Sequence, residues 1–251
     1  MMSFSARTDI GRRRTLNEDA IFADQGLFVV CDGMGGHKAG EVASQLSIDA
    51  LVAFVKRSGE DPELTWPYGF DPELSYNGNR LRTAIQLANR AVVRKAGSSE
   101  DYTGMGTTVA AVLIAPRRPL MTYAHVGDSR IYLIRAGGIL RLTRDDSFAS
   151  LGWDPLTPDD SMSSAMKNIL TKALGAREDV DFEVAEQALS DGDVIALCSD
   201  GLTNLVPDPR ILEIVTAHGA DVAAACDALV DEANAQGGRD NISVILVRYA
   251  A

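Results

Sequence analysis

Five continuous apolar stretches rich in β-branched residues punctuate the chain, at residues 27–31, 107–115, 120–126, 194–198 and 242–247. Each is bounded by turn signals, the pattern of a strand covered on both faces. Between Arg130 and Leu142 polar and apolar positions alternate around Ala136-Gly137-Gly138, which predicts a hairpin whose glycines accept positive φ. Helical spacing takes over elsewhere. Val42, Leu46, Ala50/Leu51 and Phe54/Val55 recur every three to four residues, as do Leu81, Ala84/Ile85, Ala88 and Val92. Asp208-Pro209 opens a third helix with a cap and a proline at its first position, and Gly219 closes it. A fourth starts near Asp221, with Val222, Cys226 and Leu229/Val230 on one face and Gly237-Gly238 as its stop.

A helix pair early, a helix pair late and strands between them argue against a regular βαβ repeat. They predict an α/β sandwich in which sheets pack on each other and helices cover the outside. No internal repeat, low-complexity tract or linker divides the sequence, so residues 1–251 are expected to form a single domain. Two segments read as long loops. Residues 59–78 carry Trp66, Tyr68, Phe70 and Tyr76 among prolines, glycines and acids, and these aromatics are expected to fold back onto the sandwich rather than form a partner surface. Residues 146–168 are polar and turn-rich.

Composition narrows the function. With 24 Lys+Arg against 35 Asp+Glu over 251 residues, the net charge is −11 and the pI is near 4.7. Nucleic-acid binding is therefore excluded as the default, because that affinity comes mainly from basic residues neutralising phosphates. The N-terminus reaches Arg12-Arg13-Arg14 without an apolar leader, and no run approaches the ~20 apolar residues of a membrane span. The expected location is the cytoplasm. Cys31, Cys198 and Cys226 are too scattered for a disulfide framework or a zinc site and read as buried thiols.

Aspartates stand beside the apolar runs. Asp32 follows residues 27–31, Asp200 follows residues 194–198 after one serine, and Asp240 precedes residues 242–247. One Asp-Gly pair reads by default as a turn. Three carboxylates at strand ends can be brought together, where they would repel one another unless a cation intervened. An oxygen-only set favours Mg²⁺ or Mn²⁺ over Zn²⁺. The cluster Arg14-Thr15-Leu16-Asn17-Glu18-Asp19 is open to two readings, a solvated surface network or an anion-binding group beside a metal site.

Other chemistries fail on spacing. A cysteine phosphatase needs arginine six residues after its nucleophile, and here those positions are His37, Asn204 and Glu232. The glycine loop Gly33-Met34-Gly35-Gly36-His37-Lys38 lacks the third glycine of a dinucleotide motif, and no Walker spacing exists. Its glycines suit close approach of backbone to an ion or phosphate.

Six motifs together carry a resemblance. They are Arg14-x-x-Asn17-Glu18-Asp19, Val30-Cys31-Asp32-Gly33-Met34-Gly35-Gly36-His37, Gly104-Met105-Gly106-Thr107-Thr108, Gly127-Asp128-Ser129-Arg130, Cys198-Ser199-Asp200-Gly201-Leu202 and Arg239-Asp240-Asn241-Ile242. In this order they resemble the metal-dependent serine/threonine protein phosphatases, the protein phosphatase 2C family, in its bacterial single-domain form. The resemblance implies a four-layer αββα sandwich, with two central mainly antiparallel β-sheets flanked by helix pairs and a metal pair at one end. It implies that Asp32 bridges two Mn²⁺ or Mg²⁺ ions, that Asp200 and Asp240 complete the first, and that the Gly33 carbonyl binds the second. Glu18 and Asp19 would hold metal-bound waters, and Asp128 matches a position associated with a third, weaker metal. Arg14 would grip the substrate phosphate as a bidentate fork.

Some positions depart from the pattern. Asp146 stands where the family often has histidine after its hairpin, and Met34 where many eukaryotic members have a proposed general acid. His37 is the nearest substitute, although a lone histidine after a glycine loop reads first as structural or exposed. Asn168 is a polar residue of the 146–168 flap that could face a third metal.

The implied activity is hydrolysis of phosphoserine and phosphothreonine in proteins by metal-activated water, opposing a bacterial Ser/Thr kinase, in a monomer without nucleic-acid or membrane partners. Two alternatives remain at this point. One is a pseudophosphatase acting as a phosphoprotein-binding module, which loss of ligands would mark, and none of Asp32, Asp200 or Asp240 is lost. The other is a hydrolase of small phosphate esters.

Overall fold

The computed structural model describes residues 2–24, 26–36, 39–61, 63–115, 118–151 and 169–250. Eleven strands are present among them: β1 (Met2–Asp9), β2 (Asp19–Asp24), β3 (Leu27–Met34), β4 (Gly106–Thr107), β5 (Val109–Ile114), β6 (Leu120–Val126), β7 (Arg130–Arg135), β8 (Gly138–Arg141), β9 (Val184–Ala188), β10 (Val194–Cys198) and β11 (Ile242–Tyr249). One sheet has the order β1-β11-β10-β7-β8; the other runs β2-β3-β5-β6-β9, with β4 attached to β3. Every pairing is antiparallel. Helices α1 (Ala39–Glu60) and α2 (Tyr76–Ala96) cover the second sheet. After the short α3 (Asp200–Thr203), helices α4 (Asp208–His218) and α5 (Val222–Ala235) cover the first. The sandwich has four layers, αββα, as the resemblance implied, with the helix pairs outside as the hydrophobic pattern predicted.

The apolar runs are continuous because each central strand is packed on both faces. Along β3, Leu27, Val29 and Cys31 lie under α1 and α2, while Phe28 and Val30 lie between the sheets. Along β11, Val244 and Leu246 face the helices, and Ile245 and Val247 the opposite sheet. Successive side chains alternate faces, so Asp32 continues the Phe28/Val30 side and projects into the inter-sheet space where the sandwich opens. Antiparallel partners share a face, and Asp19 is directly opposite Asp32 in the β2–β3 register.

Several boundaries differ from the sequence reading. The strand carrying Asp32 does not end there but runs on to Met34, because Gly33 and Met34 pair with Thr107 and Gly106. The stretch 107–115 is interrupted at Thr108, whose amide donates to the Asp32 carbonyl (2.8 Å) and whose hydroxyl accepts from the Asp32 amide (2.9 Å). The segment 59–78 shrinks at both ends, since α1 continues to Glu60 and α2 begins at Tyr76 with Ser75 as cap. Trp66 packs edge-on against Phe54 of α1, Phe70 and Tyr76. The cap before α4 is Pro207; Asp208 instead accepts a hydrogen bond from the Tyr132 hydroxyl (2.9 Å). His37 and Asn168 lie outside the described residues, as does residues 152–168 of the flap. No helix among the described residues is long and apolar enough to cross a membrane.

Candidate metal centre

At the open end of the sandwich lies a cleft of about 490 Å³ whose wall includes Glu18, Asp32, Asp128, Asp200 and Asp240. Arg14, Gly33 and Thr108 also line it, and Ile169 and Leu170 supply an apolar border. Each acid arrives on a different element. Glu18 precedes β2, Asp32 lies in β3, Asp128 follows β6, Asp200 opens α3 and Asp240 precedes β11. Asp19 stands behind them, where its Oδ2 accepts hydrogen bonds from Ser199 Oγ (2.9 Å) and Ser243 Oγ (2.7 Å).

The backbone around these acids is tightly held. Thr107 Oγ1 donates to the Asp32 carbonyl (2.8 Å), and Thr108 Oγ1 is 2.7 Å from Ser129 Oγ beside Asp128. A Cβ on Gly33 would sit 2.1 Å from the Gly40 carbonyl oxygen, and one on Gly201 would sit 1.9 Å from that of Asn241. Both glycines therefore permit contacts that no other residue allows. Asn241 closes the remaining side. Its amide nitrogen donates to the Ile10 and Leu16 carbonyls (3.1 and 2.9 Å), and its oxygen accepts from the Glu18 amide (2.8 Å). Both ends of the 10–18 loop are thereby fixed beside Asp240.

Burial and crowding raise the carboxylates' affinity for protons. Asp32 is pushed well above its ordinary value, first by loss of solvent and then by Asp19 and Asp200. Burial likewise raises Asp19 to about 6 against the pull of its two serine donors. Asp128 rises to about 7, through burial and then the neighbouring Asp200 and Asp145. Asp200 is also raised, mainly by burial and then by Asp240, against the pull of the Asn204 side-chain amide, which donates to its Oδ2 (2.9 Å). Glu18 shifts up by desolvation, which outweighs Arg14.

As the side chains stand, no three described ligand-type groups close on a single point. Arg14 Nη2 holds Asp240 Oδ2 at 2.7 Å, with Glu18 Oε2 4.0 Å from Nη1. Asp19 Oδ1 and Asp200 Oδ1 are nonetheless buried without a hydrogen-bond partner. Glu18 Oε1 also lacks one of acceptable geometry, although the Gly40 amide favours its charged form. A buried anionic oxygen without a donor is costly, and several around one cleft fit a hard divalent cation. The donor set is all oxygen; the three cysteines are buried, and burial pushes the Cys226 thiol up to about 11 and Cys198 to about 12.

Every acid assigned to the metal centre is thus at or directly behind the cleft, with Gly33 in its wall and Arg14 on its rim. The sequence reading assigned no task to Ser199, Ser243, Thr108 or Asn241. Ser199 and Asn241 adjoin Asp200 and Asp240 in the sequence, but Thr108 and Ser243 adjoin no acid, and the partners of all four lie far along the chain. Asp146, in the place of the expected histidine, accepts from the Gly127 amide (3.1 Å) and faces Lys172 Nζ (3.7 Å).

Comparison with known proteins agrees with this geometry. A profile described as "Protein phosphatase 2C" matches residues 10–240. The serine/threonine phosphatase stp of Listeria monocytogenes is 36% identical over 253 residues, covering 96% of this chain and 93% of its own. The crystal structure of the Mycobacterium tuberculosis serine/threonine phosphatase PstP/Ppp superposes with a TM-score of 0.83 at 34% identity, covering 100% of this chain and 99% of that one. A PstP catalytic domain solved with two manganese ions gives a TM-score of 0.80 at 33% identity, over 100% and 99% of the two chains. A match of that extent means that the chain belongs to the protein phosphatase 2C family of serine/threonine protein phosphatases.

Proposed function

We propose that this chain hydrolyses phosphoserine and phosphothreonine in proteins and takes two Mn²⁺ or Mg²⁺ ions for the purpose. The observation that carries the reading is the convergence of acids from five separate elements on one cleft, with buried oxygens that lack donors. Asp32, Asp200 and Asp240, together with the Gly33 carbonyl, are the assigned metal ligands. Glu18 and Asp19 would hold waters on those ions, and Asp128 would serve a third, weaker site. Bound cations supply a water of lowered pKa and offset the charge of the phosphoryl oxygens.

The chain's own groups do the rest. Arg14 presents a planar, permanently charged fork at the rim, suited to two phosphoryl oxygens at once. Its present partner, Asp240, is itself an assigned ligand, so a charge-neutralising group for Arg14 is exchanged when phosphate arrives. Ser199 and Ser243 keep Asp19 oriented from the opposite sheet. Asn241 holds the arginine loop against Asp240. No thiol is available as a nucleophile, since Cys31, Cys198 and Cys226 are all buried, and no covalent enzyme intermediate is required.

The pseudophosphatase alternative has no support in the ligand set, because every assigned acid is present. Residues 1–251 are read as one catalytic domain acting as a monomer in the cytoplasm, in opposition to a Ser/Thr kinase. The test is phosphate release from a phosphothreonine peptide by chelator-stripped protein before and after Mn²⁺ is restored. Release that requires the metal is expected; equal release from small esters and none from peptides would favour the metabolite hydrolase.

A further inference from the structure

The sequence Arg12-Arg13-Arg14 stands out in a chain of net charge −11, and the proposed function uses only its last member. Arg12, Arg13, Arg14 and Arg239 are all solvent-exposed. Arg14 is paired with Asp240. Among the described residues none of Arg12, Arg13 and Arg239 has a carboxylate within ion-pair distance. Three unpaired arginines on neighbouring segments concentrate positive charge, in a protein with acid to spare for pairing them.

Their placement is fixed by the backbone. The Arg12 amide donates to the Gly238 carbonyl (2.7 Å), which sets the arginine loop against the segment carrying Arg239. Gly238 has φ +48, and a Cβ there would stand 2.8 Å from Arg12 Cγ, so the two segments touch. Gly11 turns the chain at φ +78 with its amide on Asp9 Oδ1 (2.8 Å), and Asn241 ties down Ile10 and Leu16 on either side. Arg12 and Arg13 precede Arg14, and Arg239 precedes Asp240, so all three adjoin along the chain the Arg14–Asp240 pair that lines the cleft.

We infer that Arg12, Arg13 and Arg239 form a docking surface for acidic residues flanking the phosphorylated serine or threonine of a protein substrate. The inference rests on the hydrolase reading above and names its substrate class. An extended peptide advances about 3.3 Å per residue. With the phosphate at Arg14, acids two to four positions away reach the neighbouring arginines. The rest of the acidic surface disfavours long polyanions, so a short acidic flank is the occupant that both the patch and the overall charge admit. Exposed pairs of this kind act on encounter and binding and leave the bond-breaking step alone.

The experiment compares three phosphothreonine peptides, identical except for Glu, Ala or Lys at the flanking positions, on the Mn²⁺-loaded full chain. For the natural sequence, kcat/KM for the Glu peptide should exceed that for the Ala peptide by roughly fivefold to tenfold, the effect of two or three exposed pairs. The difference should lie in KM and shrink as ionic strength rises. In the triple variant Arg12→Ala/Arg13→Ala/Arg239→Ala the Glu-to-Ala ratio should fall to near one. The single reversal Arg13→Glu should shift preference toward the Lys peptide, a gain that misfolding cannot mimic. A Glu-to-Ala ratio near one in the natural sequence, or one unchanged in both variants, overturns the inference. So does inhibition by a short DNA duplex as strong as that by the Glu peptide. para-Nitrophenyl phosphate separates the two claims: Mn²⁺-dependent turnover of it without acidic preference sinks the docking surface alone, and no turnover of any substrate sinks the hydrolase reading with it.

Discussion

Replacing Asp128 by asparagine should stabilise the metal-free protein at neutral pH. Burial, helped by Asp200 and Asp145, lifts this carboxyl from 3.8 to about 7. Between those values the unfolded chain has lost the proton that the folded chain keeps. The native state then binds more protons, and stability falls as pH rises through the window. Asp128 thus costs nothing below about pH 4 and its full penalty above about pH 7. At about 1.4 kcal/mol per tenfold in proton affinity the rise is worth roughly 4 kcal/mol. Water in the open cleft screens the charge, leaving about 2 kcal/mol. For a chain of this size that is a difference of about 4–8 °C in Tm. Thermal melts in chelator, from pH 4.5 to 8, should show Asp128→Asn level with the natural sequence at the acid end and above it at pH 8. Curves that stay parallel over the whole range, or an advantage confined to acid, would refute the electrostatic account of the cleft.

Substitutions at two further positions probe its walls. Arg14→Lys keeps the charge but loses the fork, and Arg14→Ala loses both. Steady-state kinetics should show kcat/KM down by roughly 10- to 100-fold in the alanine variant, the scale of a charged hydrogen bond, with lysine recovering only part. The Tm should barely move, since the Arg14–Asp240 pair lies at the solvent-accessible rim, where an ion pair is worth little. Gly201→Ala would drive a methyl group to 1.9 Å from the Asn241 carbonyl oxygen. A loss of about 1–3 kcal/mol in chemical denaturation is expected, accompanied by loss of activity, because Asn241 anchors both the arginine loop and Glu18.

The layer order was legible because central strands covered on both faces leave continuous apolar runs, as in Val29-Val30-Cys31. β1 and β9 were not, since their side chains are mostly half-buried or exposed and polar residues interrupt them, as in Met2–Asp9. β2 hid for a related reason: it is an edge strand with one fully buried residue, Ala20. Asp32, Asp200 and Asp240 were legible from their position beside apolar runs, whereas Glu18, Asp19 and Asp128 were assigned only through the family resemblance; strand parity explains how Asp32 comes to face the inter-sheet space. What holds those acids was not. Ser199 and Ser243 meet at Asp19 only once two strands of the opposite sheet lie side by side, and Asn241 reaches Ile10 across 231 positions of sequence. Such contacts have no local signature.

The central claim is that the carboxylate cleft holds the ions on which phosphate release depends. Phosphate release from a phosphothreonine peptide should be measured beside Mn²⁺ uptake for the natural sequence, Asp32→Asn and Asp200→Asn, all shown to be folded by their melts. The account predicts Mn²⁺-dependent release by the natural sequence, with uptake weakened and release abolished in both variants. Full release by either variant, or release by the natural sequence that survives removal of all metal, would contradict it.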